Sequence, residues 1–458
     1  MHRINKSMTE GPIFGRMMLY TIPIVLTGIL QLLFNAADLV IVGQFGSSKS
    51  DAVAAVGCTS SITSLFTSFF IGCSAGSGVT VAHAIGAKNK TEIHKSVHTI
   101  IPFSVIGGAI ISVIGVVFAQ PLLKAMDTPD DILGLSTIYM QIIFAGMMPN
   151  MLYNFGASVL RAAGDSKRPL YYLVISGIIN VILNLIFVLF FHMDVAGVAL
   201  ATVISHLLSA IMVTVALVKR EDDCRLDLGK LRFYSEPLKK ILRMGIPAGV
   251  QASLFSISNV LIQSSINGLE LIYPGVVAGN AAASNIQNFS FMTSEGFKQA
   301  AMNFSGQNVG KGDFRRVKKI TNIAMVSNLV VAFLIGLLMT LLSKPLIGIY
   351  ISDSNEAVHW GVVRMFYMCL PYFMGGLMDI TTGTLRGMGQ SVFPMLASIF
   401  GVCVFRVIWI YTIFRVPAFH TPECLWISYV ISWFLTFVIQ YVVLATILNK
   451  KIKLQTEH

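Results

Sequence analysis

One aspartate stands alone in an apolar stretch near the start of the chain. Residues 22–46 read IPIVLTGILQLLFNAADLVIVGQFG, long enough to cross a bilayer, and Asp38 is the one carboxylate among them. An ionised carboxylate at the depth of a hydrocarbon core costs about 2.5–3.5 kcal/mol on insertion scales, so one kept there commonly faces a cavity or a transport pathway. In such a place it can bind a cation or exchange a proton. An aspartate held by buried donors for packing alone would look the same in sequence. The other intramembrane charges fall in the second half: Glu295 and Lys298, three residues apart, then Arg364, Asp379 and Arg406. Buried charges need partners, so Arg364 or Arg406 is expected to neutralise Asp379, and Glu295 to pair with Lys298. His94 and His98 have the i, i+4 spacing of helical metal ligands, but no glutamate stands beside them and Lys95 lies between them. They read as solvated or headgroup-facing. Gly72 and Gly76 form a GxxxG without the lysine of a phosphate loop, which leaves nucleotide binding and direct ATP coupling unsupported.

The elements that must position these groups are membrane helices. With 458 residues, 55% of them hydrophobic and 12% charged, the composition excludes a water-soluble monomer. Twelve apolar spans are expected, at 14–43, 52–83, 94–119, 131–160, 168–191, 195–218, 240–267, 276–308, 317–342, 357–385, 392–414 and 424–448. A net charge of +11 would suggest nucleic acid for a soluble protein. Here the cations crowd the loops of one side, with Arg3, Lys6, Lys88, Lys90, the 219–243 segment, Lys311, Arg315, Arg386 and Lys450 among them. The opposite loops hold only Lys49, Lys124, Lys344 and Arg415. That asymmetry places both termini in the cytoplasm and implies no nucleic-acid partner. The first 18 residues are polar and the first apolar run is too long for a cleaved signal, so the first helix is expected to be retained. Six cysteines without a CxxC pair are expected to be free thiols.

The two halves repeat. Pro23, Gly86 and Pro121 recur as Pro247, Gly310 and Pro345, each at an offset of 224, and LRAAGDSKRP at 160–169 recurs as LRGMGQSVFP at 385–394, offset by 225. A lobe at 1–218, a charged cytoplasmic linker at 219–240 and a second lobe at 241–458 follow from this. An even number of spans per copy inserts both copies with one orientation, and puts substrate between them. Thirty phenylalanines and 22 methionines would suit an adaptable cavity for flat organic cations, although most must face lipid or neighbouring helices.

These spans, the repeat, and the motifs Asp38 with VGQFG, IGCSAGSGVTVAHAIGAKN, LRAAGDSKRP, NFSGQNVGKGD and LRGMGQS resemble the multidrug and toxic compound extrusion (MATE) family, bacterial type, of the multidrug, oligosaccharidyl-lipid and polysaccharide flippase superfamily. The resemblance runs end to end. It implies an all-α integral membrane protein of twelve transmembrane helices, arranged as two pseudo-symmetric six-helix bundles in a V. It implies a monomer of the bacterial cytoplasmic membrane that exports small organic cations in exchange for H⁺ or Na⁺, with no cofactor and no catalytic residues. In the family the first-lobe cation site uses the first-helix Asp, an Asn and an Asp one turn apart on helix five, and a Thr on helix six. Asp38, Asn180 and Thr202 match, while Asn184 stands where the family often has Asp. That exchange removes a second carboxylate and keeps a carbonyl ligand, which favours protons over Na⁺ without excluding either. His206, one turn past Thr202, is a candidate proton relay. In the second lobe Asn259 and Gln263 occupy the helix where some members carry Glu; Asp379 is the best acid, and Arg406 resembles a basic residue of bacterial members. A lipid-linked oligosaccharide flippase is the alternative, since Lys298, Arg364 and Arg406 could meet pyrophosphate. An intramembrane lipid-modifying enzyme is a more distant one, lacking paired acids, a Ser/His set or a metal motif.

Overall fold

The computed structural model describes residues 8–45, 49–351 and 354–457, and every regular element among them is a helix. Arg3, Lys6 and Gly46 lie outside the described residues. Among the described residues nine helices are long and apolar enough to cross a bilayer, and counting each of two bent pairs as a span brings the total to 11. The first pair is α4 (Asp130–Ala145) with α5 (Met147–Ala162), bent by 43°; the second is α12 (Asn355–Met368) with α13 (Tyr372–Gly387), bent by 45°. The breaks fall at Gly146 and at residues 369–371, one repeat apart, and Pro149 and Pro371 stand close to them, where a proline is tolerated at a helix start and disfavoured inside. The helix absent from that count, α9 (Val276–Lys311), has 36 residues and fails by polarity, not by length. Its Asn280, Asn303, Gln307 and Asn308 are buried in protein and not presented to lipid.

The duplication is written into the backbone. The turn between α2 (Lys49–Gly86) and α3 (Lys90–Ala125) places Lys88 at φ 52°; the turn between α9 and α10 (Phe314–Leu341) places Gly312 at φ 83°. Asn89 and Asp313 follow as N-caps, their side chains accepting from the amides of Glu92 and Arg316. Both pairs are 224 residues apart. The turns at Gly164 (φ 84°) and Gly389 (φ 86°) repeat the same hydrogen bonds, Asp165 N to Leu160 O and Gln390 N to Leu385 O.

The chain divides into two compact units. One holds Leu26–Gly249; the other holds Met8–Val25 and Val250–His458. Helices α1 (Ile13–Phe45) and α8 (Ser235–Gly268) each contribute to both. Within the first unit α2 and the start of α8 meet through glycines. A Cβ on Gly72 would stand 2.7 Å from the Ala248 backbone, on Gly245 2.7 Å from Cys73 O, and on Gly249 2.6 Å from Phe69 O. The GxxxG of α2 therefore serves close helix packing, against a second GxxxG at Gly245 and Gly249.

The connecting segment packs on the first unit. Cys224 and Leu226 enter its core beside Ile100, Phe155, Leu160 and Leu217. The amides of Asp227 (3.0 Å) and Tyr234 (3.1 Å) donate to His98 Nε2 and Thr99 Oγ1, and that of Arg232 (3.3 Å) to His98 O. His98 is fully buried, contrary to the solvated position expected for it, because its ring accepts from the Asp227 amide of the incoming segment and its carbonyl from Arg232; His94 stacks on it at 3.8 Å. In the second unit the first stretch of α1 fits against α9, with Met17, Tyr20 and Ile24 on Phe297, Ala300 and Phe304, and Asn303 donating to the Tyr20 hydroxyl at 2.9 Å.

Candidate functional site: a carboxylate with amide and hydroxyl donors

Three helices bring polar groups together in the first unit. Asn180 and Asn184 are i, i+4 on α6 (Lys167–Leu185) and so share one face. Gly177, three residues before Asn180, is what lets that face approach α1, because a Cβ there would run into the Phe34 ring. A π-helical turn at Ile186–Phe190 begins two residues after Asn184. Thr202 comes from α7 (Asp194–Val218) and back-bonds to Val198 O at 3.0 Å, which fixes its hydroxyl.

Asn184 Nδ2 donates to Asp38 Oδ1 at 2.5 Å and to Asn180 Oδ1 at 3.3 Å. Thr202 Oγ1 approaches Asp38 Oδ2 at 3.4 Å, and Asn180 Nδ2 donates to Thr202 Oγ1 at 3.3 Å. Asp38 is half-buried and Asn184 fully buried. Ile41, Val42, Ala52, Ala55, Val188, Val195 and Val198, from α1, α2, the π-helical turn and α7, form an apolar cluster with Tyr139 packed against it. Such surroundings strengthen every electrostatic contact made there. The oxygens of Asp38, Asn180, Asn184 and Thr202 make a hard, single-carboxylate donor set, suited to a proton or a small monovalent cation. Asn184 Oδ1 is buried without a hydrogen-bond partner, an acceptor left over once the amide has served Asp38. His206 lies one turn further along α7 and its ring makes no hydrogen bond among the described residues, so nothing there joins it to this set.

The second unit arranges its charges otherwise than expected. Asp379 is approached by Lys298 Nζ at 3.8 Å, and Lys298 is also paired with Glu295, so one lysine bridges two acids. Neither Arg364 nor Arg406 is salt-bridged to Asp379 among the described residues. Arg406 Nε donates to Ser432 Oγ at 3.1 Å, its Nη1 to Asn259 Oδ1 at 3.4 Å, and its guanidinium lies 3.8 Å from the Tyr429 ring centroid. Helix direction explains the difference: Glu295 and Lys298 share a face of α9, which packs closely on α13, where a Cβ on Gly383 would stand 2.5 Å from Lys298 O. Gln263 Nε2 donates to Asn267 and Gln263 Oε1 accepts from Asn280, both at 2.8 Å. Arg386 belongs to no loop; it is 7% exposed on α13 and donates to Gln251 Oε1 at 2.8 Å. Its position in the repeat, LRGMGQ against LRAAGD, is the one sequence signal that sets it apart from the loop cations.

Comparison with known proteins adds a common pattern. The MatE family profile matches residues 23–186 and 247–412. The chain is 27% identical over 406 residues to the probable multidrug resistance protein YoeA of Bacillus subtilis, covering 87% of this chain and 86% of that one. It is 25% identical to the probable multidrug resistance protein NorM of Thermotoga maritima, over 83% and 81% of the two chains. A crystal structure of MATE in the straight conformation superposes with a TM-score of 0.89 at 20% identity, over 99% of this chain and 100% of that one.

Proposed function

The chain belongs to the MatE family, and from that membership we propose that it is a secondary active exporter of small organic, mostly cationic compounds, driven by H⁺ or Na⁺ moving the other way through Asp38. The observation that carries this is a carboxylate at membrane depth whose two oxygens are engaged by neutral donors, Asn184 and Thr202. Neutral donors orient Asp38 without cancelling its charge, as a lysine or arginine would, so the charge remains for a mobile cation. Asn180 and Asn184 supply carbonyl oxygens and Thr202 a hydroxyl. The two ligands must compete or favour opposite states of the transporter, because equal affinity for both states shifts nothing.

In this proposal α9 counts as a span despite its polarity, and the chain forms twelve spans in two six-helix lobes joined by residues 219–240. Both termini lie in the cytoplasm and the protein works as a monomer in a bacterial cytoplasmic membrane. In the second lobe the Glu295–Lys298–Asp379 cluster is a structural charge network, while Asn259, Gln263 and Arg406 line or support a polar cavity. The flippase alternative loses one of its three cations, since Lys298 is committed to two acids.

Purified protein in proteoliposomes, with pH and Na⁺ gradients imposed separately, tests the core of this. Asp38→Asn is expected to abolish gradient-driven movement of a fluorescent organic cation while the protein still inserts. Near-normal movement by that variant would remove Asp38 from the mechanism.

A further inference from the structure

A cavity of about 220 Å³ lies wholly within the second unit, between α8, α9, α12 and α16 (Pro422–Thr456). Arg364 lines it at 6% exposure, and two guanidinium nitrogens, Nε and Nη1, are buried without a hydrogen-bond partner. Its titratable neighbours are the Tyr429 phenol and the Cys369 thiol, neither of them a carboxylate. A second guanidinium, that of Arg406, stands behind two of the lining residues, donating to Asn259 at 3.4 Å and lying 3.8 Å from the Tyr429 ring centroid. No carboxylate lines the cavity, and neither arginine has a salt bridge among the described residues. Gln287 lines it too and has a buried, unpartnered Oε1.

The position is as informative as the composition. The repeat offset of 224 carries Asp38 onto Ile262, and Ile262 lines this cavity. At the place where the first unit holds a carboxylate, the second has an aliphatic side chain that shares its cavity with Arg364. Buried charge without a protein counter-charge is costly, and a guanidinium with free N–H groups matches the geometry of carboxylate and phosphate oxygens. Amide and hydroxyl groups from Asn288 and Ser284 complete a polar lining able to hold an oxyanion and its waters.

We propose that the second unit contains a binding site for an oxyanion, a carboxylate or phosphate group, held by Arg364 in the cavity shared with Asn259, Gln287 and Tyr429. This goes beyond the cation antiport proposed for the first unit and does not depend on it. The site gives this chain the means to recognise a solute bearing an acid group, or to hold an inorganic anion as a fixed counter-charge.

The test is thermal unfolding of the full-length protein in non-ionic detergent micelles, titrated with sodium phosphate or sodium acetate against sodium chloride at equal Na⁺ and ionic strength. The expected result is a saturable rise in Tm of a few degrees with phosphate, acetate or both, and none with chloride. Arg364→Gln should lose the response and Arg364→Lys should retain part of it; Gln287→Leu, which keeps the charge, should weaken it, so the proposal stays testable if Arg364→Gln does not fold. Asp38→Asn should keep the response while losing antiport, which separates failure of this site from failure of the carboxylate mechanism. Adding phosphatidylglycerol to the micelles distinguishes sources: if it produces the rise itself and abolishes the phosphate increment, the occupant is a lipid headgroup, and if it does neither, the occupant is a soluble anion. No saturable response to either oxyanion, or one that survives intact in Arg364→Gln, would overturn the proposal.

Discussion

At the scale of single residues, the decisive contrast is between acids held by neutral donors and acids held by a cation. Asp38 is engaged by Asn184 and Thr202, whereas Asp379 and Glu295 share Lys298. Removing Lys298 would take the ion-pair partner from the buried Asp379, so Lys298→Met is expected to destabilise the protein by about 3–5 kcal/mol, measured by denaturant unfolding in micelles. Asn184→Asp would set a second carboxylate beside Asp38. The expected outcome is stronger dependence of export on a Na⁺ gradient, read in proteoliposomes at fixed pH; an unchanged ion preference would show that Asn184 does not select the ion. His206→Ala should leave the pH profile of export where it is, since no hydrogen bond ties His206 to Asp38 among the described residues. Residue type was enough to single out Asp38, because a carboxylate in an apolar helix is conspicuous; Asn180, Asn184 and Thr202 were marked out only by the resemblance to the MATE family. Partners were not legible in the same way. Which cation meets Asp379, and that His98 is buried, depend on how helices rotate against one another, and single-helix periodicity carries no such information.

At the scale of elements, the sequence revealed the helices and their repetition, and Pro149 and Pro371 inside them suit bends, but it did not show that the helices part there. The run 131–160 reads as one apolar span, yet it breaks at Gly146 between α4 and α5, and α12 and α13 part in the same way one repeat later. The turns offer a clean energetic comparison. Lys88 occupies the left-handed region that Gly312 occupies in the other copy. A side chain there costs roughly 1–2 kcal/mol, so Lys88→Gly is expected to raise Tm and Gly312→Ala to lower it, with no Cβ contact within 4 Å to confuse the latter. The glycine contact between α2 and α8 is less forgiving. Gly245→Ala would force a methyl to within 2.7 Å of Cys73 O, and separation of the helices should cost about 1–3 kcal/mol in the same melts.

At the scale of the whole molecule, composition sufficed for membrane class, because it is averaged over hundreds of positions, while the family rested on the repeat together with particular motifs such as LRAAGDSKRP and NFSGQNVGKGD. The connecting segment was less legible: its charge suggests a free cytoplasmic tether, but Cys224 and Leu226 anchor it in the first unit's core. Burial pushes the Cys224 thiol up to about 12, so the reactive thiolate is scarce at pH 8 and becomes abundant only as pH rises toward that value. In a variant whose other cysteines are replaced, Cys224 should resist alkylation at pH 8 until the protein is denatured; rapid labelling of the folded protein would show that the segment is not docked.

The shared ownership of α1 and α8 has a consequence for how the gene can be divided. A scission in the 219–234 stretch would yield two polypeptides, yet each would be missing part of its own interior. The upstream fragment would forfeit Gly245 and Gly249, which α2 leans on, and the downstream fragment would forfeit Met17, Tyr20 and Ile24, which plug the α9 surface. Neither piece should be stable when synthesised by itself, and co-synthesis should rescue both, which makes this transporter a reciprocal dimer in a single strand.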